Sequence, residues 1–420
     1  MATPTPAPQR PSLSMRLKSA MIMGMTGVLS KCFLYGFNRV EVTGLSRFLD
    51  ILDSRKDPAK RQRGLLTVSN HISVLDDPVV WGILPLRYAF DPTNLRWTLG
   101  AADICFANKI FSNFFTHGQV LPCHRLKHSP FGGPFQPALT QALRLLSHPP
   151  TTTTTSPLSL PYQQATAAAA AAAATAEATY TTTGTDTHLA PLQADPARRR
   201  YSWVHVFPEG CVHQHATSDL RYFKWGLARL ILESDPAPDV LPMFVDGTQR
   251  VMPEDRGFPR FLPRIGKTVR VAFGQVLDYD ATFGDLKRRW DELVSRERER
   301  LARQQQQQQG KLITGVSGSS RTSGTVTSSG GGDGALVKQT EVMPVGELAT
   351  GELKYGKEAQ EIRIEVARRM RAEILKVRKS LGGYPEPNPA FALAETWRLD
   401  DDIEAKKYKS RVDGSNITQD

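Results

Sequence analysis

Leu65-Leu66-Thr67-Val68-Ser69-Asn70-His71-Ile72-Ser73-Val74-Leu75-Asp76-Asp77-Pro78 is the stretch that decides the fold. A short apolar run ends in a polar loop, and the loop enters a helix start with Asp77 placed to cap and Pro78 at the first helical position. A strand, a loop and a helix in that order put polar side chains at the carboxyl end of a strand, where α/β proteins carry chemistry. His71 and Asp76 stand five residues apart, about 140° around a regular helix, so contact between them needs a loop. A histidine held by a carboxylate has a fixed tautomer and a stabilised imidazolium, as a general base acting on a hydroxyl requires. The same residues also fit a plain capping turn, in which Asp76 or Asp77 accepts helix N–H groups and His71 is merely polar.

Outward from this stretch, strand and helix signals alternate. Strands are predicted at 39–43, 65–69, 95–99, 119–123, 203–207, 240–245 and 268–273, with helices at 78–84, 106–115, 137–146 and 222–233. This alternation predicts an α/β fold, a mixed sheet covered by helices. Two stretches lack the apolar periodicity to build a core. Thr151 to Pro196 is rich in Thr and Ala, and Gln304 to Gly334 runs from six glutamines into Ser, Gly and Thr. The resulting division is a disordered 1–14, a membrane-associated helix over 15–38, a main α/β domain over 39–150 and 197–300, low-complexity surface insertions at 151–196 and 301–350, and a C-terminal helix and tail over 351–420.

The net charge of +11 suits an anionic partner, either nucleic acid or an acidic membrane. No motif of nucleic-acid-binding spacing is present, which counts against the first. The first 40 residues hold Arg10, Arg16, Lys18, Lys31 and Arg39 and no acid, a pattern typical of mitochondrial targeting. Within them the apolar run Met21 to Phe37, broken by Lys31, is marginal for a bilayer span. It fits an interfacial helix or a buried core helix as well. The four cysteines share no metal-ligand spacing and are too few to form a disulfide framework.

A second informative segment is Trp203-Val204-His205-Val206-Phe207-Pro208-Glu209-Gly210. There a strand runs into Pro, an acid and a Gly suited to a tight turn. Glu209 is placed either to accept from a substrate hydroxyl or to orient a neighbour. Together, in this order and separation, the two segments resemble the glycerolipid acyltransferase superfamily. Further blocks narrow the resemblance to the branch that exchanges acyl chains between phospholipids: Arg96-Trp97-Thr98-Leu99-Gly100-Ala101, Gly118-Gln119-Val120-Leu121-Pro122, Phe223-Lys224-Trp225-Gly226, and Met252 to Arg264. The resemblance covers about residues 15–300 apart from the first insertion.

That resemblance implies a glycerolipid-acyltransferase-like fold and a CoA-independent transacylase. A donor such as phosphatidylcholine would pass a chain to a lysolipid such as monolysocardiolipin, remodelling cardiolipin in mitochondrial membranes facing the intermembrane space. It implies His71 as base, Asp76 as its orienting partner, Glu209 and Gly210 in acceptor binding, and neither cofactor nor metal. Val212 stands where many members of the superfamily carry an Arg. Arg125, seven residues after Gly118, is the nearest candidate for their phosphate-binding Arg. The other readings are an acyl-CoA-dependent lysophospholipid or glycerol-3-phosphate acyltransferase, and a basic protein that binds lipid or nucleic acid without catalysis.

Three lesser features complete the sequence. His213 and His215 read as solvated loop histidines, and His117 and His124 as surface residues. Ile362, Val366, Met370 and Ile374 make an apolar stripe bordered by arginines, fitting either an anionic bilayer or the protein core. Trp225 to Val245 is a second apolar region in which lipid contact is expected.

Overall fold

The computed structural model describes residues 13–126, 129–147, 179–190, 201–259, 261–316, 346 and 348–399. Nine strands are formed among them: β1 (Arg39–Thr43), β2 (Leu65–Val68), β3 (Trp97–Ala101), β4 (Val120–Cys123), β5 (Thr179–Tyr180), β6 (His188–Leu189), β7 (Trp203–Val206), β8 (Asp239–Asp246) and β9 (Thr268–Phe273). Seven described helices run eight residues or longer: α1 (Leu13–Phe37), α2 (Leu45–Ser54), α3 (Lys109–His117), α4 (Pro137–Leu146), α5 (Trp225–Leu232), α6 (Tyr279–Val316) and α7 (Lys357–Ser380).

Seven strands form one sheet in the order β1-β9-β8-β2-β7-β3-β4. From β8 to β4 every neighbouring pair is parallel, and only β8 and β9 run antiparallel. The sheet is therefore mixed, as the alternation of elements predicts. Every residue of β2 and β7 is buried, which explains why they are mostly apolar, with Thr67 and His205 bonded to each other between the strands: a parallel strand covered on both faces has no solvent side. One face packs against α4, α5, α6 and α7, and the other against α1, α2 and the segment 80–84.

Lys31, the charge that interrupts the apolar run of α1, turns toward the protein and donates to the carbonyls of Gly82 (3.4 Å) and Leu84 (3.3 Å). Gly82 permits this close docking, since a Cβ there would lie 2.7 Å from the backbone of α1. Leu34 and Met23 are buried beneath the helix. Leu17, Met21, Met25 and Leu29, four apart, face outward. The helix is thus docked along one side and apolar along the other.

Four expectations need correction. The region Trp225–Val245 is core: α5 is buried from Leu227 to Leu232, and β8 is an interior strand. Part of the first insertion is built, because β5 and β6 pair as a hairpin, His124 Nε2 lies 2.6 Å from the Thr182 hydroxyl, and His188 meets Phe106 edge-on. The glutamine run does not begin an unstructured segment, since α6 continues through it to Val316. Asp77 does not cap a helix over 78–84. It sits at φ −120°, ψ 119° between two short turns, and its carboxylate is taken by Arg96 (2.7 Å) and the Trp81 indole (2.6 Å). The expectations for 1–12, most of 151–196 and of 317–350, and 400–420 lie outside the described residues.

The arginine-bordered stripe settles on the core. Ile362, Val366, Met370 and Ile374 are wholly buried. Ile362→Ala should cost about 2–5 kcal/mol of stability by leaving a cavity. Ile364→Ala, on the exposed side of the same helix, should cost less than about 0.5 kcal/mol. Denaturant unfolding of the two variants in detergent checks this, and equal losses would place the stripe elsewhere.

Candidate active site

Three adjacent parallel strands deliver the site. β2 pairs with β7 on one side and β8 on the other, with Val68 opposite Val206 and Pro242. The loops that follow β2 and β7 therefore leave the same edge side by side. β8 runs four residues further, to Asp246, and turns at Gly247 (φ 98°). Only glycine fits that turn, because a Cβ would lie 2.0 Å from the Thr268 carbonyl oxygen. The turn brings Thr248 back over the loop from β2.

Asp76 is the centre of this arrangement. Its Oδ2 accepts from the Nδ1–H of His71 (3.0 Å) and from the backbone N–H groups of Ile72 (2.6 Å) and Ser73 (2.9 Å). Its Oδ1 accepts from the Thr248 hydroxyl (2.6 Å). The carboxylate is 1% exposed, and every one of these contacts uses it as an acceptor. The capping turn and the His–Asp contact, alternatives in the sequence, coexist here on one carboxylate. His71 is also held flat by Phe207, whose ring stacks on it at 4.3 Å. With Nδ1 engaged, Nε2 is the nitrogen left to meet a substrate.

Asn70 ties the loop to the sheet through paired 2.8 Å bonds with the carbonyl and N–H of Val245. Beneath it, His205 is a buried structural histidine. Trp203 donates to the Thr67 hydroxyl oxygen, and that hydroxyl lies 2.8 Å from His205 Nδ1. Burial, with the charge of Arg96 adding, holds His205 well below its usual range, so it is neutral.

Glu209 is buried, and each carboxylate oxygen already accepts a backbone N–H: Oε1 from His71 (2.9 Å), Oε2 from Arg221 (3.0 Å). Of the two roles open in the sequence, orienting a neighbour is the one this geometry serves. Gly210 adopts φ 69°, and its missing side chain leaves room for Lys224, whose Cδ would lie 2.8 Å from a Cβ there. Lys224 and Arg221 bring cationic character beside this block, where the sequence shows Val212 instead of an arginine. Arg125 stands apart, after edge strand β4, with its guanidinium on the Asp103 carboxylate.

His213 and His215 are half-buried rather than solvated loop residues. They stack on each other at 5.7 Å beneath Phe391 and Trp397, and the His213 N–H donates to the His71 carbonyl (2.7 Å). His117 is buried as well. Pattern reading also missed a group of supporting residues. Gln214 donates to the carbonyls of Ile72 and Met252. Arg371 donates to the carbonyls of Leu220 (2.6 Å) and Arg221 (3.0 Å), and Arg378 to that of Thr217 (2.9 Å). Arg363, Arg371 and Arg378 recur at spacings of eight and seven. This spacing places them on one helix face, and it is the signal by which they could have been found.

A family model described as Acyltransferase matches residues 50–246. The tafazzin of Saccharomyces cerevisiae is 30% identical over 394 residues, covering 91% of this chain and 83% of the yeast protein. The tafazzin of Drosophila melanogaster is 30% identical over 288 residues, 68% of this chain and 58% of the fly protein. An N-acylphosphatidylethanolamine synthase of Arabidopsis thaliana is 30% identical over 245 residues, 58% of this chain and 64% of the plant protein. Fold, strand-end site and these matches define an acyltransferase acting on phospholipids. Within that class, the chain belongs to the tafazzin family.

Burial raises the Glu209 carboxyl to about 7, against the opposing pull of its two N–H bonds. Its folded value thus exceeds the unfolded 4.5, so the folded state holds more protons between those values. The stability owed to this group is present below pH 4.5 and is lost as pH rises toward about 7. Glu209→Gln cannot titrate and can accept at only one of the two N–H groups. The stability of the wild type relative to the variant should fall by roughly 3 kcal/mol across that window, measured by unfolding at a series of pH values. A difference independent of pH would contradict this.

Proposed function

We propose that this chain moves an acyl group from a phospholipid to a lysophospholipid with no acyl-CoA, and that His71 and Asp76 are its catalytic pair. The observation that carries this reading is the 3.0 Å contact between His71 Nδ1 and an Asp76 carboxylate that two backbone N–H groups and the Thr248 hydroxyl hold in place. A carboxylate fixed in this way can hold the imidazole and stabilise its charge. His71 Nε2 takes the proton of the lysolipid hydroxyl as that oxygen attacks the donor ester carbonyl. The tetrahedral intermediate collapses and expels the donor's glycerol oxygen, which recovers the proton from Nε2. The products are a new phospholipid and a new lysolipid, and no serine or cysteine nucleophile takes part.

Glu209 acts as a positioning residue, fixing the backbone of His71 from below. Gly210 leaves space beside Lys224, where an anionic headgroup of the acceptor is received. Arg125, after β4 and paired with Asp103, is the further candidate for contact with a lipid phosphate. Membership of the tafazzin family supports cardiolipin and monolysocardiolipin as acceptor species, with phosphatidylcholine as a donor. It also supports a site of action on mitochondrial membranes, facing the intermembrane space. The docked α1, with its outward row Leu17, Met21, Met25 and Leu29, suits attachment at a bilayer surface.

An ester exchange between similar lipids has a free-energy change near zero, so label should move in both directions. Purified protein, labelled phosphatidylcholine and monolysocardiolipin in CoA-free buffer should exchange label toward a mixture set by the lipids supplied. Strict dependence on added acyl-CoA would overturn the reading. His71→Ala and Asp76→Asn should each lower this exchange by roughly 10²–10⁴-fold. Turnover at the wild-type rate in a folded His71→Ala would remove the mechanism.

A further inference from the structure

With Trp225–Val245 buried in the core, one predicted lipid contact disappears, and another part of the surface has the character it lacked. The loop between the turn Thr248–Val251 and β9 carries Phe258, at 94% exposure the most exposed large apolar side chain among the described residues. Phe261 (76%), Ile265 (61%) and Leu262 (57%) follow within seven positions. Four large apolar groups held out together mark a contact surface rather than ordinary exposure.

The charges around them have one sign. Beyond Glu254 and Asp255, residues 257–267 hold no acid and carry Arg260, Arg264 and Lys267, while Arg256 is buried and Arg270 is paired with Asp246. The loop is also anchored at both ends. The Arg264 N–H donates to the Val251 carbonyl (2.8 Å), and the Gly266 N–H to the carbonyl of Phe37, the last residue of α1 (2.8 Å). Its root reaches the site: Thr248 donates to Asp76, and Gln214 links the Met252 carbonyl to that of Ile72.

We propose that residues 257–266 insert into the headgroup region of an anionic phospholipid bilayer and hold the His71–Asp76 pair at a fixed place relative to that surface. The proposal rests on the reading of this chain as an enzyme of lipid surfaces. An apolar tip among cations, with no acid in the segment, matches acidic headgroups over an apolar interior. A second copy of this chain is a poor occupant, because at a net +11 two such faces repel. Continuity with the end of α1, the other outward apolar element, favours the bilayer again.

Hydrogen exchange of the full chain with vesicles of phosphatidylcholine and cardiolipin is the test. Amides of 257–266 should exchange more slowly in vesicle-bound protein than in free protein. The combined variant Phe258→Asp, Phe261→Asp and Leu262→Asp should partition onto these vesicles at least ~10-fold more weakly, with turnover on detergent-dispersed lipids unchanged. Vesicle-bound protein in which 257–266 exchanges as in free protein would overturn the proposal, as would a variant that partitions like the wild type. Slowed exchange that appears without vesicles as protein concentration rises would assign the loop to a second copy and overturn it too. A wild-type protein that transfers no acyl chain in either medium, yet shows the protected loop, would refute the transacylase reading and leave this one standing.

Discussion

A buried carboxylate needs hydrogen-bond donors, and in this protein Asp76 draws them from its own loop and from across the sheet. Two N–H groups from its own loop, one from the His71 ring and one hydroxyl from across the sheet close the set. A buried carboxylate without those donors would be costly, so the loop shape and the ring orientation are fixed together. The strand order follows from the same need. Thr248 can reach Asp76 only if β8 lies beside β2, and the N–H of His71 can meet Glu209 only if β7 lies on the other side.

Support for this centre comes from far along the chain. Arg371 and Arg378 project from α7, outside the span of the matched family model, and grip the carbonyls of 217–221. That loop presents the Arg221 N–H to Glu209, and Glu209 holds the N–H of His71. The C-terminal helix is therefore continuous with the acyltransferase core in both senses, since its apolar stripe packs against the sheet and its arginines brace the site. The buried guanidiniums are tolerated because each donates to backbone carbonyls that loop geometry would otherwise leave unpaired.

Local reading of the sequence located most strands within a residue or two, and β1, β9 and α4 at their full bounds. These are segments whose burial pattern and flanking residues agree. It also reached His71, Asp76 and Glu209, because a strand-to-loop transition concentrates polar residues where a sheet ends. What escaped it was long-range. Nothing near Thr248 indicates a partner 172 positions away, and the carbonyl partners of Arg371 lie some 150 residues off. Apolar character alone also misled: Trp225–Val245 reads as lipid-seeking, yet it is the middle of the core, since a strand and a helix buried on all sides have the same composition as a membrane segment. The hairpin at 179–190 was lost in a low-complexity background, and the helix through the glutamines was hidden by their polarity, although glutamine is a good helix former.

The central claim is that Asp76 keeps the His71 proton on Nδ1 and frees Nε2 for the substrate hydroxyl. The direct measurement is the tautomer of neutral His71, read from the ring-nitrogen resonances of nitrogen-labelled histidine in the detergent-solubilised protein, with the signal assigned by its loss in His71→Gln. The account predicts the Nδ1–H form in the wild type and loss of that preference in Asp76→Asn. An Nε2–H tautomer in the wild type, or the same tautomer with and without the Asp76 carboxylate, would contradict it.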